Sequence, residues 1–247
     1  MAARARSSIA FVLVHGAWHG GWCWRDVRAA LESQGHRVFT PTLTGLAEKA
    51  HLRDPVPNLS THIQDVLNVL EWEELSDVVL CGHSYGGMVI TGVADRAKEK
   101  LRAIVYLDAA VPRSGQSMVT QGPPRDATGQ ADAAALAPDG AWMGVFPPEV
   151  LGIPPHHPGY AWVARRLTPH PLPSWTEPLT LTNDGSQGLR RMYVLCTDPV
   201  LPQSSLPWHA QQIRPDPTWL YHEIATGHDA MVTAPGETAR LLLEAAG

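Results

Sequence analysis

The sequence predicts an α/β fold: a mainly parallel, doubly wound sheet of about six strands, with a minimal N-terminus and a small cap insertion. Two features of the hydrophobic pattern support this prediction. Short apolar runs rich in β-branched residues alternate with amphipathic segments of helix length, and one long stretch breaks the alternation. With 247 residues, 44% of them hydrophobic and 17% charged, the chain suits a single domain around one core.

The predicted strands are apolar throughout, as expected for strands covered on both faces. Val78, Val79 and Leu80 form one unbroken apolar run, which is typical of a buried parallel strand. The predicted strands are Ile9–His15, Arg37–Thr40, Asp77–Cys81, Ala103–Leu107, Met192–Thr197 and Thr218–Glu223. The predicted helices between and after them are Trp24–Gln34, Thr61–Glu71, Tyr85–Lys98 and Gly236–Ala245.

The alternation stops between Val111 and Arg191, where prolines accumulate and no strand signal is found. A structureless loop of this length is uncommon in a compact domain. Several large aromatic residues also argue against a disordered linker. We therefore predict a mostly helical or irregular cap over residues 112–190, and a core formed by residues 1–111 and 191–247. The aromatic residues are Trp142, Phe146, Trp162 and Trp175.

Composition excludes several function classes. A net charge of −5 gives no electrostatic reason to expect nucleic acid or an anionic membrane as a partner. The three cysteines form no Cys-x-x-Cys pair and the twelve histidines are scattered, so we predict no metal site and no cofactor. The first apolar run, Ile9–Val14, is too short for a secretory or membrane-spanning segment. We therefore expect a cytoplasmic protein.

The segment Gly82-His83-Ser84-Tyr85-Gly86 predicts a nucleophile. It follows a predicted strand and precedes a predicted helix, and this context makes the Gly-x-Ser-x-Gly motif informative. The turn between the two elements leaves no room for bulky neighbours, so glycine flanks the serine on both sides. Ser84 would then project its hydroxyl at the carboxyl edge of the sheet. The alternative is a tight turn in which Ser84 only caps the helix.

A serine hydroxyl needs a base within hydrogen-bonding reach, and in this arrangement the chain order is serine, acid, histidine. His228 follows the last predicted strand and is the expected base. Two aspartates compete for the acid. Asp198 directly follows the Met192–Thr197 strand and is the preferred candidate, while Asp108 ends the preceding strand and is the alternative. Both loops open on the same edge of the sheet.

The loop after the first strand predicts an oxyanion hole. Its sequence is His15-Gly16-Ala17-Trp18, and the backbone N–H of Ala17 would act together with that of Tyr85, the residue after the nucleophile. Losing one such donor reduces the rate by roughly a hundredfold or more. The predicted role of His15 is to brace the loop.

These motifs resemble the methylesterase and hydroxynitrile lyase branch of the α/β-hydrolases. The resemblance rests on the segment from Phe11 to Trp22, on Gly82 to Met88 and on the strand end at Cys196-Thr197-Asp198. Bacterial carboxylesterases that resemble this branch, pyrethroid-cleaving enzymes among them, are the nearest match. The resemblance implies an α/β-hydrolase fold, a cofactor-free ester hydrolase with a Ser-His-Asp triad, a small cap and an apolar pocket.

Two departures from the branch bear on the reaction. The lyases carry a threonine where this chain has Gly16 and a lysine where it has Asp229. Without that lysine no positive group stabilises a departing cyanide, which disfavours a lyase. The acid loop is also one residue shorter than in the plant-like members, which keeps Asp108 as an alternative.

The combined prediction is a serine hydrolase that cleaves carboxylic esters of small apolar substrates through an acyl-enzyme. A lactonase, thioesterase or amidase would use the same triad, so these remain alternatives, as does a non-hydrolytic lyase or a ligand-binding homologue. We expect a monomer or a homodimer. The predicted wall of the substrate pocket comprises Trp18, Trp142, Met143, Phe146 and Trp162.

Overall fold

A computed structural model describes residues 8–122, 135–201 and 204–247, and within these it contains a parallel sheet of six strands in the order β2-β1-β3-β4-β7-β8. This confirms the predicted sheet, and each predicted strand lies within a few residues of an observed one. The strands are β1 (Ala10–Val14), β2 (Arg37–Phe39), β3 (Val78–His83), β4 (Leu101–Leu107), β7 (Arg190–Cys196) and β8 (Trp219–Ile224).

Helices flank the sheet. The N-terminus of α2 (Leu59–Trp72) is capped by Asn58, whose side-chain oxygen accepts a hydrogen bond of 2.9 Å from the N–H of Thr61. Two helices outside the predicted cap, α6 (Leu206–Ile213) and α7 (Ala230–Thr233), were not predicted. Both are short, and α6 has a proline at its second position. The helices are α1 (Arg25–Glu32), α2 (Leu59–Trp72), α3 (Gly86–Ala97), α4 (Tyr160–Ala164), α5 (Leu172–Thr176), α6 (Leu206–Ile213), α7 (Ala230–Thr233) and α8 (Pro235–Ala246).

The sheet separates two hydrophobic cores because successive side chains of a strand point to opposite faces. Val12 and Val14 of β1 pack into the core on one face, together with helices α2 and α3. Phe11 and Leu13 pack into the core on the other face, against α1 and α8. This two-sided burial explains the unbroken apolar runs in the strand sequences.

The segment between β4 and β7 carries two further strands, β5 (Trp142–Met143) and β6 (His170–Pro171), which pair antiparallel. The sequence of this segment contains no strand signal, because strands of only two residues are too short to produce one. Residues 123–134 of the predicted cap lie outside the described residues. The division into a core and a cap over 112–190 therefore stays a prediction.

All six strands of the main sheet run in the same direction, so their carboxyl ends lie along one edge. The loops after β1, β3, β4, β7 and β8 leave from this edge. They contain every residue that the sequence predicts for catalysis. No helix in the described ranges combines the length and the apolar character needed to cross a membrane.

Candidate active site

Ser84 occupies the turn between β3 and α3 in a conformation that side-chain-bearing residues rarely adopt. Its φ is +54°, and its carbonyl oxygen accepts hydrogen bonds from the N–H groups of Gly87 (3.0 Å) and Ala110 (3.1 Å). A Cβ on Gly82 would lie 2.6 Å from the carbonyl oxygen of Gly86, so the glycine on this side of the serine cannot be replaced without movement. Ser84 is partly exposed although its neighbours in sequence are buried. The turn therefore leaves Ser84 accessible at the carboxyl edge of the sheet.

His228 lies after β8 and is buried against a carboxylate. Its Nδ1 lies 2.6 Å from Oδ2 of Asp108. An ionised carboxylate only accepts hydrogen bonds, so Nδ1 must carry the proton and Nε2 is left as the acceptor. The main-chain carbonyl of His228 accepts a hydrogen bond of 2.9 Å from Nε2 of His83, the residue before the serine. The base loop and the nucleophile turn are thereby joined.

The carboxylate beside His228 is that of Asp108, the alternative acid, and not that of the preferred Asp198. Asp198 is exposed, and its N–H donates to the carbonyl oxygen of Thr226 at 3.0 Å. Its side chain lines a surface cavity of about 560 Å³ together with Gly227 and other residues. This geometry places Asp108, and not the preferred Asp198, beside the expected base.

The strand order explains why the earlier aspartate meets the base. Strand β4 lies next to β3, which carries the nucleophile, whereas β7 is one strand further away. Asp108 has a φ of +42°, and its Oδ1 accepts a hydrogen bond of 3.1 Å from the N–H of Cys196 at the end of β7. That bond turns the carboxylate across the end of β7, where the loop that carries His228 can reach it.

The loop after β1 is braced by His15, as predicted. Nδ1 of His15 donates to the carbonyl oxygen of Gly16 at 2.8 Å, and Nε2 accepts from the N–H of Leu43 at 3.1 Å. Burial lowers the pKa of His15 to about 3, so the ring is neutral. A neutral ring with both nitrogens engaged stabilises the loop and takes no part in proton transfer.

The two predicted oxyanion donors have no acceptor in the part of the chain that the structure describes. The N–H groups of Ala17 and Tyr85 form no hydrogen bond there, whereas the N–H of Trp18 donates to Nδ1 of His170 at 3.4 Å. Both free N–H groups lie in loops at the edge of the sheet where Ser84 is found. The side chain of Tyr85 points away, and its hydroxyl contacts Nδ1 of His62 at 2.8 Å.

Some of the predicted pocket residues lie together near this edge. The rings of Trp18 and Phe146 pack edge to face with centroids 5.0 Å apart, and Met143 is buried on the same face of the sheet. Trp175 and His170 lie beside these rings and were not predicted as part of the wall. Their rings lie 5.9 Å and 6.0 Å from that of Trp18. The aromatic character of these residues indicates that they are buried, but it does not indicate which part of the molecule their rings face.

One predicted pocket residue, Trp162, lies elsewhere, while Trp142 stays a predicted member of the pocket. Trp162 packs on the opposite face of the sheet, with its ring centroid 4.9 Å from that of Trp22 and the guanidinium of Arg25 4.5 Å from its ring. The guanidinium carbon of Arg53 lies 4.4 Å from the centroid of the Trp142 ring. Composition placed both in the cap, but which face of the sheet a cap residue covers depends on the tertiary path of the chain.

A second buried acid–base pair lies next to the base. Asp229, the residue after His228, accepts a hydrogen bond from Nε2 of His19 at 3.0 Å. His83, His228 and Asp229 also bring three potential ligand atoms within 4.8 Å of one another. Each residue has one bonded atom: Nδ1 of His228 contacts Asp108, Nε2 of His83 contacts a main-chain carbonyl, and Oδ2 of Asp229 contacts His19. Nδ1 of His83 and Oδ1 of Asp229 have no hydrogen-bond partner among the described residues.

Comparison with known proteins places this arrangement in context. A model of the alpha/beta hydrolase family matches residues 11–241. A carbendazim hydrolyzing esterase from Nocardioides sp. (strain SG-4G) is 45% identical over 241 residues, which cover 94% of this chain and 97% of that protein. Methylesterase 7 from Arabidopsis thaliana is 28% identical over 250 residues, covering 96% of this chain and 95% of the relative.

Solved structures show the same fold. An extracellular alpha/beta-hydrolase from a Paenibacillus species superposes with a TM-score of 0.82 at 24% identity, covering 96% of this chain and 98% of that one. A pyrethroid hydrolase from Sphingobium faniae JZ-2 superposes with a TM-score of 0.77 at 21% identity, covering 97% and 98%. The resemblance drawn from the sequence motifs is confirmed.

Proposed function

The chain belongs to the alpha/beta hydrolase family and is a carboxylesterase-type hydrolase, and we propose that Ser84, His228 and Asp108 are its catalytic triad. The observation that carries this proposal is the contact of 2.6 Å between His228 Nδ1 and Asp108 Oδ2, at the same edge of the sheet as the strained Ser84 turn. Triads are recognised by geometry and roles, and these three residues also keep the chain order serine, acid, histidine.

In the proposed mechanism, Nε2 of His228 takes the proton of Ser84 Oγ as that oxygen attacks the ester carbonyl carbon. The N–H groups of Ala17 and Tyr85 stabilise the negative charge that develops on the carbonyl oxygen. His228 then protonates the leaving alcohol as the carbon–oxygen bond breaks. Water attacks the acyl-enzyme in the same way, which releases the carboxylic acid and restores the Ser84 hydroxyl.

The environment of each group supports its role. Asp108 fixes the Nδ1–H tautomer of His228 and stabilises the imidazolium that forms during the reaction. Ser84 Oγ forms no hydrogen bond with any described residue, His228 included, so no contact holds it away from the base. In structures without substrate the bond between nucleophile and base is often long.

We propose that the substrates are esters of small apolar or aromatic groups. The ring wall of Trp18, Phe146 and Trp175 on the Tyr85 side of the sheet supports this preference, because apolar walls bind apolar groups. The relative that is 45% identical is named for hydrolysis of carbendazim, which makes this compound the first candidate to test. A lactone, thioester or amide would be attacked by the same groups.

Activity should depend on the hydroxyl of residue 84. We expect Ser84→Ala to remove the hydrolysis of p-nitrophenyl esters and of carbendazim, since no other group would supply the nucleophile. Ser33→Ala is the matched control, because Ser33 is exposed at the end of α1. Turnover is followed by absorbance for the p-nitrophenyl esters and by chromatography for carbendazim.

A covalent probe provides the second readout. A fluorophosphonate should add to the peptide that contains Ser84 in the wild type and in Ser33→Ala, and mass spectrometry should find no adduct on Ser84→Ala. Activity that survives Ser84→Ala would end the serine-hydrolase proposal. An adduct without ester turnover would favour the ligand-binding alternative.

A further inference from the structure

The pair of His19 and Asp229 has no part in the proposed mechanism, yet it lies between the two groups that the mechanism needs. Both side chains are buried, with relative exposures of 1% and 0%. His19 uses both ring nitrogens: Nε2 contacts Oδ2 of Asp229 at 3.0 Å, and Nδ1 contacts the carbonyl oxygen of Ala17 at 2.7 Å. Carbonyl and carboxylate oxygens only accept hydrogen bonds. Both nitrogens of His19 must therefore donate, which makes the ring a cation.

Electrostatics agrees with this assignment. Burial by itself lowers the pKa of His19, but the charge of Asp229 and the hydrogen bonds to Asp229 and Ala17 outweigh it and raise that pKa. Burial likewise raises the pKa of Asp229, and the charge and hydrogen bond of His19 overcome it, so that this pKa is lowered. The two groups form an ion pair without solvent around it.

The two ends of the pair are attached to different parts of the site. On one side, His19 holds the carbonyl of Ala17, whose N–H is a proposed oxyanion donor. On the other side, Asp229 is the next residue after His228, and its own N–H donates to the carbonyl oxygen of Leu151 at 3.1 Å. The pair thus links the loop after β1 to the loop after β8, although 210 residues separate its members in the chain.

We propose that His19 and Asp229 are positioning residues, and that their buried ion pair sets the distance between the oxyanion-binding N–H of Ala17 and the imidazole of His228. This proposal rests on the triad and oxyanion hole proposed above. Catalysis by these groups requires both to reach the same carbonyl group at once. A misplacement of about 1 Å can reduce turnover by about a hundredfold.

The kinetic test replaces Asp229 by asparagine. We expect Asp229→Asn to lower kcat by about tenfold to a hundredfold with KM within about twofold of the wild type, because the loss concerns the transition state. Each kcat is divided by the number of active sites that a fluorophosphonate titrates. This correction removes any fraction of misfolded protein from the comparison.

A matched control separates positioning from stability. Asp95 is also a buried carboxylate, with an exposure of 4%, and it accepts hydrogen bonds from the main chain of Thr182, Asn183 and Gly185. Asp95→Asn should lower the thermal unfolding temperature and leave kcat per titrated site unchanged. Both variants remove one negative charge, so net charge does not distinguish them.

The pH profile gives a readout that a purely structural role would not change. Among the described residues, the charged or titratable groups around His228 are Asp108, His83, Asp229 and Cys196. Burial raises the pKa of the Cys196 thiol, so it carries no charge, and His19 neutralises Asp229. In His19→Gln the charge of Asp229 has no partner and favours the protonated form of its neighbour His228. The acid limb of the profile of kcat/KM should then move to higher pH, and it should return in His19→Gln/Asp229→Asn.

The double variant also guards against a failure to fold, because it leaves no unpaired buried charge. Wild-type kcat per titrated site in Asp229→Asn and in the double variant would overturn the proposal, as would an acid limb that does not move in His19→Gln. If Ser84→Ala stays active, the proposed triad fails first. If Ser84→Ala is inactive and Asp229→Asn is normal, only the positioning role is lost.

Discussion

The structure contains two buried His–Asp pairs that differ in what surrounds the second nitrogen of the ring. In the pair of His228 and Asp108, Nδ1 contacts the carboxylate at 2.6 Å, and no protein group in the described chain forms a hydrogen bond with Nε2. In the pair of His19 and Asp229, the second nitrogen donates to a main-chain carbonyl. A ring with a free acceptor nitrogen can take a proton, whereas a ring that donates twice already holds it. The hydrogen-bond partner of the second ring nitrogen therefore decides whether a buried histidine can act as a base or stays a structural cation.

Other buried histidines extend this comparison. His62 donates from Nε2 to the carbonyl oxygen of Thr44 at 2.9 Å and accepts from the hydroxyl of Tyr85. Burial lowers the pKa of His62 to about 4, as it does more strongly for His15, and both rings are neutral. A neutral ring that donates once and accepts once orders its neighbours without carrying charge. Histidine thus occurs here in three states: a ring with a free acceptor nitrogen, a cation that donates twice, and a neutral ring that donates once and accepts once.

Replacing the acid gives the largest expected effect. Asp108→Asn should lower kcat by about ten-thousandfold, because an amide beside Nδ1 no longer selects the tautomer or stabilises the imidazolium. The matched change Asp198→Asn alters an exposed carboxylate and should leave kcat within about twofold. Both are measured with p-nitrophenyl acetate after thermal unfolding has shown that the variants are folded. A large loss of kcat in Asp198→Asn instead would indicate that the acid is Asp198, in the loop after β7.

The ambiguity between these two aspartates shows how far the sequence reaches. Ser84 and His228 are marked by local patterns, a glycine-flanked serine between strand and helix and a histidine after the last strand. The acid is marked only by a position at the end of a strand, and two strands qualify. The choice depends on the contact between Asp108 Oδ1 and the N–H of Cys196, which lies 88 residues away in the chain. Local sequence contains no information on such a contact.

The same limit applies outside the triad. The six strands could be predicted because a strand buried on both faces has an apolar sequence whatever its neighbours are. The face of the sheet that a cap residue covers could not be predicted. Trp162, for example, lies on the face opposite Trp18 and Phe146. His19 and Asp229 were also missed as a pair. Each has an ordinary neighbourhood in the sequence, and only the fold brings them together.

The aromatic residues on the two faces of the sheet provide the next test. Phe146→Ala should raise KM for apolar p-nitrophenyl esters by about tenfold, because it removes apolar surface beside Trp18. Trp162→Ala removes a ring that packs on Trp22 and should lower stability while KM stays the same. KM is measured across acyl chains of increasing length. Equal changes of KM in both variants would contradict the assignment of Phe146 to the pocket wall.

The smallest effect concerns stability in acid and involves a histidine outside the site. Burial, and then the charge of Arg113, lower the pKa of His209 to about 4. The pKa in the unfolded chain is about 6.5, so between these values the unfolded chain binds a proton that the native protein does not. His209 therefore makes the free energy of unfolding fall as the pH falls from about 6.5 towards 4, at a rate of up to about 1.4 kcal/mol per pH unit.

His209→Gln should reduce this slope by about that amount and leave esterase activity at pH 7 unchanged, because α6 provides no group of the proposed triad or oxyanion hole. Urea unfolding at several pH values between 4 and 7 measures the slope. His51→Gln, at an exposed histidine, is the control and should keep the slope of the wild type. His19 should act in the opposite sense, since its pKa is raised: the stability it adds is present below about pH 6.5 and is lost as the pH rises through its folded-state pKa. An unchanged slope in His209→Gln would mean that the native protein accepts the proton at this position, and that burial alone does not keep a histidine neutral in this fold.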